Sequence, residues 1–155
     1  MKKAVPNDKK LEMTILMTPD MVNFSGKVHG GAILKILDQV AYACASRYSG
    51  HYVVTLAADQ VLFRQPIHVG ELVTFLAQIN YTGTSSMEVG IKVIAENPRT
   101  QVRHHVLSSY FTMVALNEKS ETVAVPPLKL RSQKDKDRFA AALKRKKQRQ
   151  KALSS

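Results

Sequence analysis

Asn23-Phe24-Ser25-Gly26-Lys27-Val28-His29-Gly30-Gly31-Ala32-Ile33-Leu34-Lys35-Ile36-Leu37-Asp38 is the stretch that decides the fold. Its first half is polar and turn-prone. From Gly30 onward, Ile33, Leu34, Ile36 and Leu37 fall at helical spacing beside an acidic residue, Asp38. Glycines at a helix start let a ligand approach the backbone, and the first N–H groups carry the positive end of the helix dipole. Asp38 lies two turns beyond Gly31 and so falls on roughly the same face. A carbonyl polariser and a carboxylate base on one helix would suit an acyl-transfer site.

Working outward, the helical pattern runs from about Gly30 to Tyr48 and is apolar on most faces, which predicts a buried helix. Ser49-Gly50 closes it. Upstream, Glu12 to Met17 reads as a strand ended by Thr18-Pro19-Asp20. Downstream come four β-rich stretches: Tyr52 to Phe63, Leu72 to Tyr81, Ser86 to Glu96 and Arg103 to Leu116. Thr82-Gly83-Thr84 and Asn97-Pro98-Arg99-Thr100 are short enough for hairpins. One buried helix among antiparallel strands is an α+β pattern.

Val125-Pro126-Pro127 marks the expected domain end, giving an extension over 1–12, a domain over 13–127 and a tail over 128–155. A length of 155 residues and 45% hydrophobic content fit one domain with a proper core. No apolar run approaches the roughly 20 residues that cross a membrane. The lysines near the start have no apolar stretch behind them, as a secretory signal would require. Cys44, the single cysteine, excludes an internal disulfide and a multi-cysteine metal site, and a cytoplasmic location is expected. The net charge of +11 is uneven: the tail holds eleven Lys/Arg against two Asp, whereas the body is nearly neutral. A helix is expected from about Gln133 to Gln150, with too few apolar residues (Phe139, Ala140, Leu143) to fold alone. Lys144-Arg145-Lys146-Lys147 is expected as a solvated charged face able to reach CoA phosphates, RNA or an anionic membrane. Without Trp or aromatic-basic alternation, nucleic acid is not the favoured partner.

Asn23, Gly26, His29-Gly30-Gly31 and Asp38, followed by Val54-Thr55, the block from Phe63 to Glu71, and Gly83-Thr84-Ser85-Ser86-Met87, stand in the order and spacing of a known signature. Over about Met13 to Pro126 the chain resembles the hotdog-fold acyl-CoA hydrolases, in particular the short, single-domain bacterial acyl-CoA thioesterases. The resemblance implies an antiparallel sheet wrapped around one long central helix, and hydrolysis of acyl-CoA to free fatty acid and CoA. It implies no cofactor, CoA being part of the substrate. Dimers as the active unit, and a hexamer built as a trimer of dimers, are the implied assembly.

The resemblance also assigns roles. The aspartate matching Asp38 acts on the thioester, as a base on water or as a nucleophile. Asn23, otherwise a good turn residue, would help place the attacking water or the acyl carbonyl, working with Asp38 of a partner subunit. Ser85, Ser86 and Met87 would lie against the pantetheine or phosphates of CoA, with Thr55-Leu56-Ala57 on a neighbouring strand. The residues themselves point to the backbone N–H of Gly31 as the oxyanion donor, with Gly30 beside it. His29 is expected to line the site, because no Gly-x-Ser-x-Gly elbow supports a triad. His104-His105 alternates sides on a strand, poor geometry for one metal, and no metal is assigned. Two rivals remain: an acyl-CoA hydratase on the same fold, and a non-catalytic acyl-CoA sensor with a nucleic-acid-binding tail.

Overall fold

A computed structural model of the chain describes residues 7–154; the first six residues of the expected extension lie outside the described residues. β1 (Lys10–Leu16) alternates as its sequence requires, with Leu11, Met13 and Ile15 turned toward the core. After a single 3-10 turn (Pro19–Met21), the chain forms α1 (Gly30–Ser49), β2 (Tyr52–Asp59), β3 (Leu72–Thr82), β4 (Ser86–Glu96), β5 (Arg103–Leu116) and α2 (Gln133–Ser154). The five strands make one antiparallel sheet in the order β1-β3-β4-β5-β2.

α1 packs Ile33, Leu37, Val40, Ala41, Cys44 and Ala45 against the sheet and touches all five strands. Val73, Phe75 and Ile79 of β3 and Val89, Ile91 and Val93 of β4 meet it from the inner face. Fully burying such side chains is worth about 1.5–3 kcal/mol each, so this seam dominates the core. The result is the hotdog arrangement, a sheet wrapped around one long helix. α1 ends at Gly50, whose φ of 73° is left-handed and whose N–H reaches Ser46 O at 2.8 Å.

α2 lies across the outer face, where alternation points Glu88 away from its core neighbours Met87 and Val89. Its buried residues are only Asp135 and Ala142, so apolar burial does little to hold it. Ion pairs take over: Lys9 with Asp135 at 2.8 Å, Arg145 with Glu88 at 2.6 Å and Arg149 with Asp59 at 2.8 Å. Phe139 adds a ring contact with Tyr81, centroids 4.8 Å apart. Lys144-Arg145-Lys146-Lys147 is therefore not one solvated face, because Arg145 and Lys146 turn onto the sheet.

Several boundaries differ from the sequence reading. β1 starts at Lys10 and ends at Leu16, Met17 being buried and bonded instead to Glu71 O and Gly70 N. β2 stops at Asp59 rather than Phe63, because Gln60 takes a left-handed φ of 58° and turns the chain out of the sheet. α2 continues to Ser154. α1 is not buried all round: Gly31, Leu34, Lys35, Asp38, Gln39 and Tyr42 form an exposed stripe.

Candidate active site

Asp38 sits in the middle of that open stripe. Thr55, on the edge strand β2, donates its hydroxyl to Asp38 Oδ1 at 2.6 Å, which fixes one carboxylate oxygen and leaves Oδ2 open. Asp38 and Thr55 line a cleft of about 340 Å³ together with Gln39, Tyr42, Tyr52 and Val54. A helix expected to be buried would cover Asp38 in part; Asp38 is exposed in the single chain because nothing of its own fold covers this side of α1. Apolar groups nonetheless surround it, with Leu34, Tyr42, Tyr52 and Leu56 between 41% and 67% exposed.

Thr55 owes its position to a bulge. It pairs with Met113 and Ala57 pairs with Thr112, so Leu56 is the extra residue and points outward. β5 separates β2 from β4, so Thr55-Leu56-Ala57 is two strands from Ser85 and Ser86 rather than on a neighbouring one. Ser85 and Ser86 are half-buried in the β3–β4 hairpin. Met87 has no exposed surface; its side chain belongs to the core, which corrects its expected place against a ligand.

Asn23 is half-buried and lies elsewhere, in a cleft of about 260 Å³ with Lys27, Gly30, Phe63 and Arg64. Its Oδ1 accepts from Ser25 N at 2.9 Å, Ser25 Oγ at 2.7 Å and Lys27 N at 3.1 Å. Three donors on one oxygen decide the amide orientation and leave Nδ2 as the free group, a donor only. Asn23 is thus the turn residue its sequence suggests and also presents an amide outward. The loop is tied down by Val28 N to Ile67 O at 2.8 Å and His29 N to Met21 O at 2.7 Å.

His29 caps α1 without a side-chain hydrogen bond and is exposed. The N–H groups of Gly30 and Gly31 meet no acceptor among the described residues, as expected for the first turn of a helix. A Cβ at Gly31 would meet nothing within 4 Å, so the backbone there is open to a ligand. Among the described residues, His29 makes no triad with Asp38 and a serine, and no group of three His, Cys, Asp or Glu could hold a metal. His105 Nε2 contacts Ser108 Oγ at 2.9 Å, while His104 Nε2 is buried without a partner. The chain thus brings Asp38 and Thr55 together and keeps Asn23 and Gly30 in a separate cleft. Sequence reasoning missed the Thr55–Asp38 pairing, because 17 positions separate the two and no local pattern links them.

Comparison with known proteins adds to this geometry. Protein VdlD of Helicobacter pylori is 46% identical over 140 residues, covering 90% of this chain and 80% of that protein. A hexameric acyl-CoA thioesterase solved without ligand has a TM-score of 0.90 and 29% identity, covering 96% of each chain. An acyl-CoA hydrolase from Staphylococcus aureus, solved with butyryl coenzyme A, coenzyme A and coenzyme A disulfide, has a TM-score of 0.85 and 27% identity, covering 93% of this chain and 88% of that one. Variants of that hydrolase with one asparagine, one aspartate or one threonine replaced by alanine have also been solved. Those three positions are separated by 15 and 17 residues, the same intervals that separate Asn23, Asp38 and Thr55. No helix among the described residues is long and apolar enough to cross a membrane. Residues 25–102 match the thioesterase superfamily, and the chain belongs to it.

Proposed function

We propose that this protein hydrolyses acyl-CoA to a free carboxylic acid and CoA, at a site completed by a second copy of the chain. The observation that carries the reading is the Thr55–Asp38 hydrogen bond on an uncovered helix face, with one carboxylate oxygen fixed and the other open. The matching intervals in the Staphylococcus aureus hydrolase support it.

In this reading Asp38 Oδ2 takes a proton from water as the water oxygen attacks the thioester carbonyl carbon. The carbonyl oxygen gathers negative charge against the N–H of Gly31, at the positive end of α1, where such charge is favoured. Collapse breaks the C–S bond, and the thiolate leaves with the pair and regains a proton from Asp38. A thiolate leaves readily, so the chemistry asks for no strong general acid. Asn23 Nδ2 is a donor and is suited to the carbonyl oxygen or to the lone pair of the water. His29, Gly30 and Ser86 would line the path of the substrate.

Asn23 and Asp38 occupy separate clefts in one chain, so the reading places Asn23 and Gly30 of one subunit, with the adjoining N–H of Gly31, against Asp38 and Thr55 of the other. β2 is an edge strand, and Tyr52 and Leu56 on it and Leu34 and Tyr42 on α1 present apolar surface beside Asp38. An edge strand flanked by apolar side chains is a template for pairing with another copy. A hexamer of three such dimers is the proposed assembly; the structural relative solved without ligand is itself hexameric.

The test is thiol release from a panel of acyl-CoA substrates from C2 to C20. Asp38→Asn should lower kcat by about 10²–10⁴-fold while leaving the fold intact, since loss of a general base typically costs that much. Near-normal turnover by a well-folded Asp38→Asn protein would remove Asp38 from the mechanism.

A further inference from the structure

Phe24 is the most exposed large apolar side chain among the described residues, and nothing of its own chain covers it. It is nonetheless held in a fixed place. Val22 pairs with Val28, Asn23 N donates to Lys27 O at 2.7 Å and Gly26 N donates to Asn23 O at 3.1 Å, so residues 22–28 form a small hairpin with Phe24 at its tip. Gly26 supplies the left-handed φ, 81°, that so short a loop needs. The three donors on Asn23 Oδ1 brace the same tip. One exposed apolar side chain is ordinary on any surface; this one is set apart by the rigidity of its tip and by its place beside Asn23.

A matching surface lies on the Asp38 side. Tyr42 of α1 and Tyr52 of β2 meet edge to face, with ring centroids 6.1 Å apart, and both stay exposed. They wall the cleft that holds Asp38. Symmetry decides what reaches them. In the proposed site Gly31 of one copy meets Asp38 of the other, and a two-fold axis requires the reverse contact as well, so the two α1 helices run antiparallel where they meet. One turn onward from Asp38 to Tyr42 on one helix then matches one turn back from Gly31 on the other. That step passes the start of α1 at Gly30 and enters the 22–28 hairpin. The tyrosine pair of one copy therefore faces the Phe24 tip of the other.

We infer that Phe24 is the anchor that joins the two halves of the site: its ring packs on the Tyr42–Tyr52 pair of a second copy and so holds Asn23 over the Asp38 of that copy. This rests on the reading above that the site is shared between two copies. Consecutive Cα atoms are about 3.8 Å apart, so a docked Phe24 leaves Asn23 little freedom to drift from the carboxylate. Aromatic rings favour offset or edge-on contact, and a Phe ring against two tyrosines provides it. Buried aromatic anchors carry much of the binding energy of an interface. Phe24 is thus a positioning residue that acts through Asn23.

The test uses the full chain, which has no Trp of its own, so Phe24→Trp places a single emitter at the tip. Its fluorescence should be that of a buried indole in the assembled protein and shift to that of an exposed one when Tyr42→Ala is added. Phe24→Ala should weaken the dimer about 10- to 100-fold on dilution in the ultracentrifuge, the scale of burying one Phe side chain. Tyr42→Ala should weaken it too, and the double variant by no more than the larger single loss, since both remove the same contact. At concentrations that keep the dimer intact, Phe24→Ala should lower kcat by up to about 10²-fold through misplacement of Asn23, with KM little changed. Phe24→Tyr should restore both assembly and rate. An exposed indole in a dimeric, active protein, or losses that add in the double variant, would overturn the anchor and leave the proposed activity standing. A buried indole coupled to Tyr42, in a protein that does not hydrolyse acyl-CoA, would support the docking and remove the activity.

Discussion

Asn23 and Thr55 do their work through opposite ends of the hydrogen bond. Asn23 Oδ1 is consumed by its own turn, so only its N–H groups face outward. Thr55 spends its proton on Asp38 and thereby fixes which carboxylate oxygen is free. Thr55→Val keeps the shape and removes that donor, and it should lower kcat by up to about 10²-fold, the scale of a small misplacement of a reacting group. Thr55→Ser should retain most of the rate; a Thr55→Val protein with wild-type kcat would make the bond incidental. That Asp38 and Gly31 share the exposed face of α1 was legible in helical periodicity. The Thr55 hydroxyl was not, since it depends on where β2 crosses α1. Met87 misled for a related reason: the hairpin motif carries no sign of which neighbour turns inward, and the strand's alternation sends Met87 into the core.

At the level of elements, α1 and α2 are held by different forces. α1 is an apolar helix, and its burial could be read from its composition. α2 buries little apolar surface, in keeping with the few apolar residues the sequence gives it. The sequence reading missed the docking, because Glu88, Asp59 and Lys9 carry no local mark that they await a helix far along the chain. Burial works against the Arg145 charge, but the hydrogen bond and charge of Glu88 outweigh it and raise its pKa. At the other end of α2, the hydrogen bond from Lys9, aided by Arg131 N, lowers Asp135 from 3.8 to about 2. A carboxylate depressed in the folded state stabilises it fully above its unfolded value and stops doing so as pH falls through the folded one. The melting temperature of wild type should therefore exceed that of Asp135→Asn above pH 3.8, with the gap closing as pH approaches 2. A gap that does not change over this range would mean that the Lys9–Asp135 pair does not hold α2.

For the whole molecule, one chain presents an unfinished site. The strand count, the central helix and the β3–β4 and β4–β5 hairpins follow from hydrophobic periodicity and two turns visible in the sequence, whereas the placing of β1 beside β3 and of β2 beside β5 was not legible there. That Asn23 and Asp38 face different clefts was not legible either, because it depends on how the loop before α1 is pinned to Ile67 and Met21. The central claim is that two copies share each site, so the most direct measurement is complementation between two inactive variants. Asn23→Ala and Asp38→Asn proteins, each inactive alone, are unfolded together, refolded and assayed for thioester hydrolysis after subunit exchange has been verified. Every mixed dimer should hold one site with both native residues and one with neither, so activity should return to a substantial fraction of wild type. A mixture that exchanges subunits yet stays as inactive as its components would show that each site is built within a single chain.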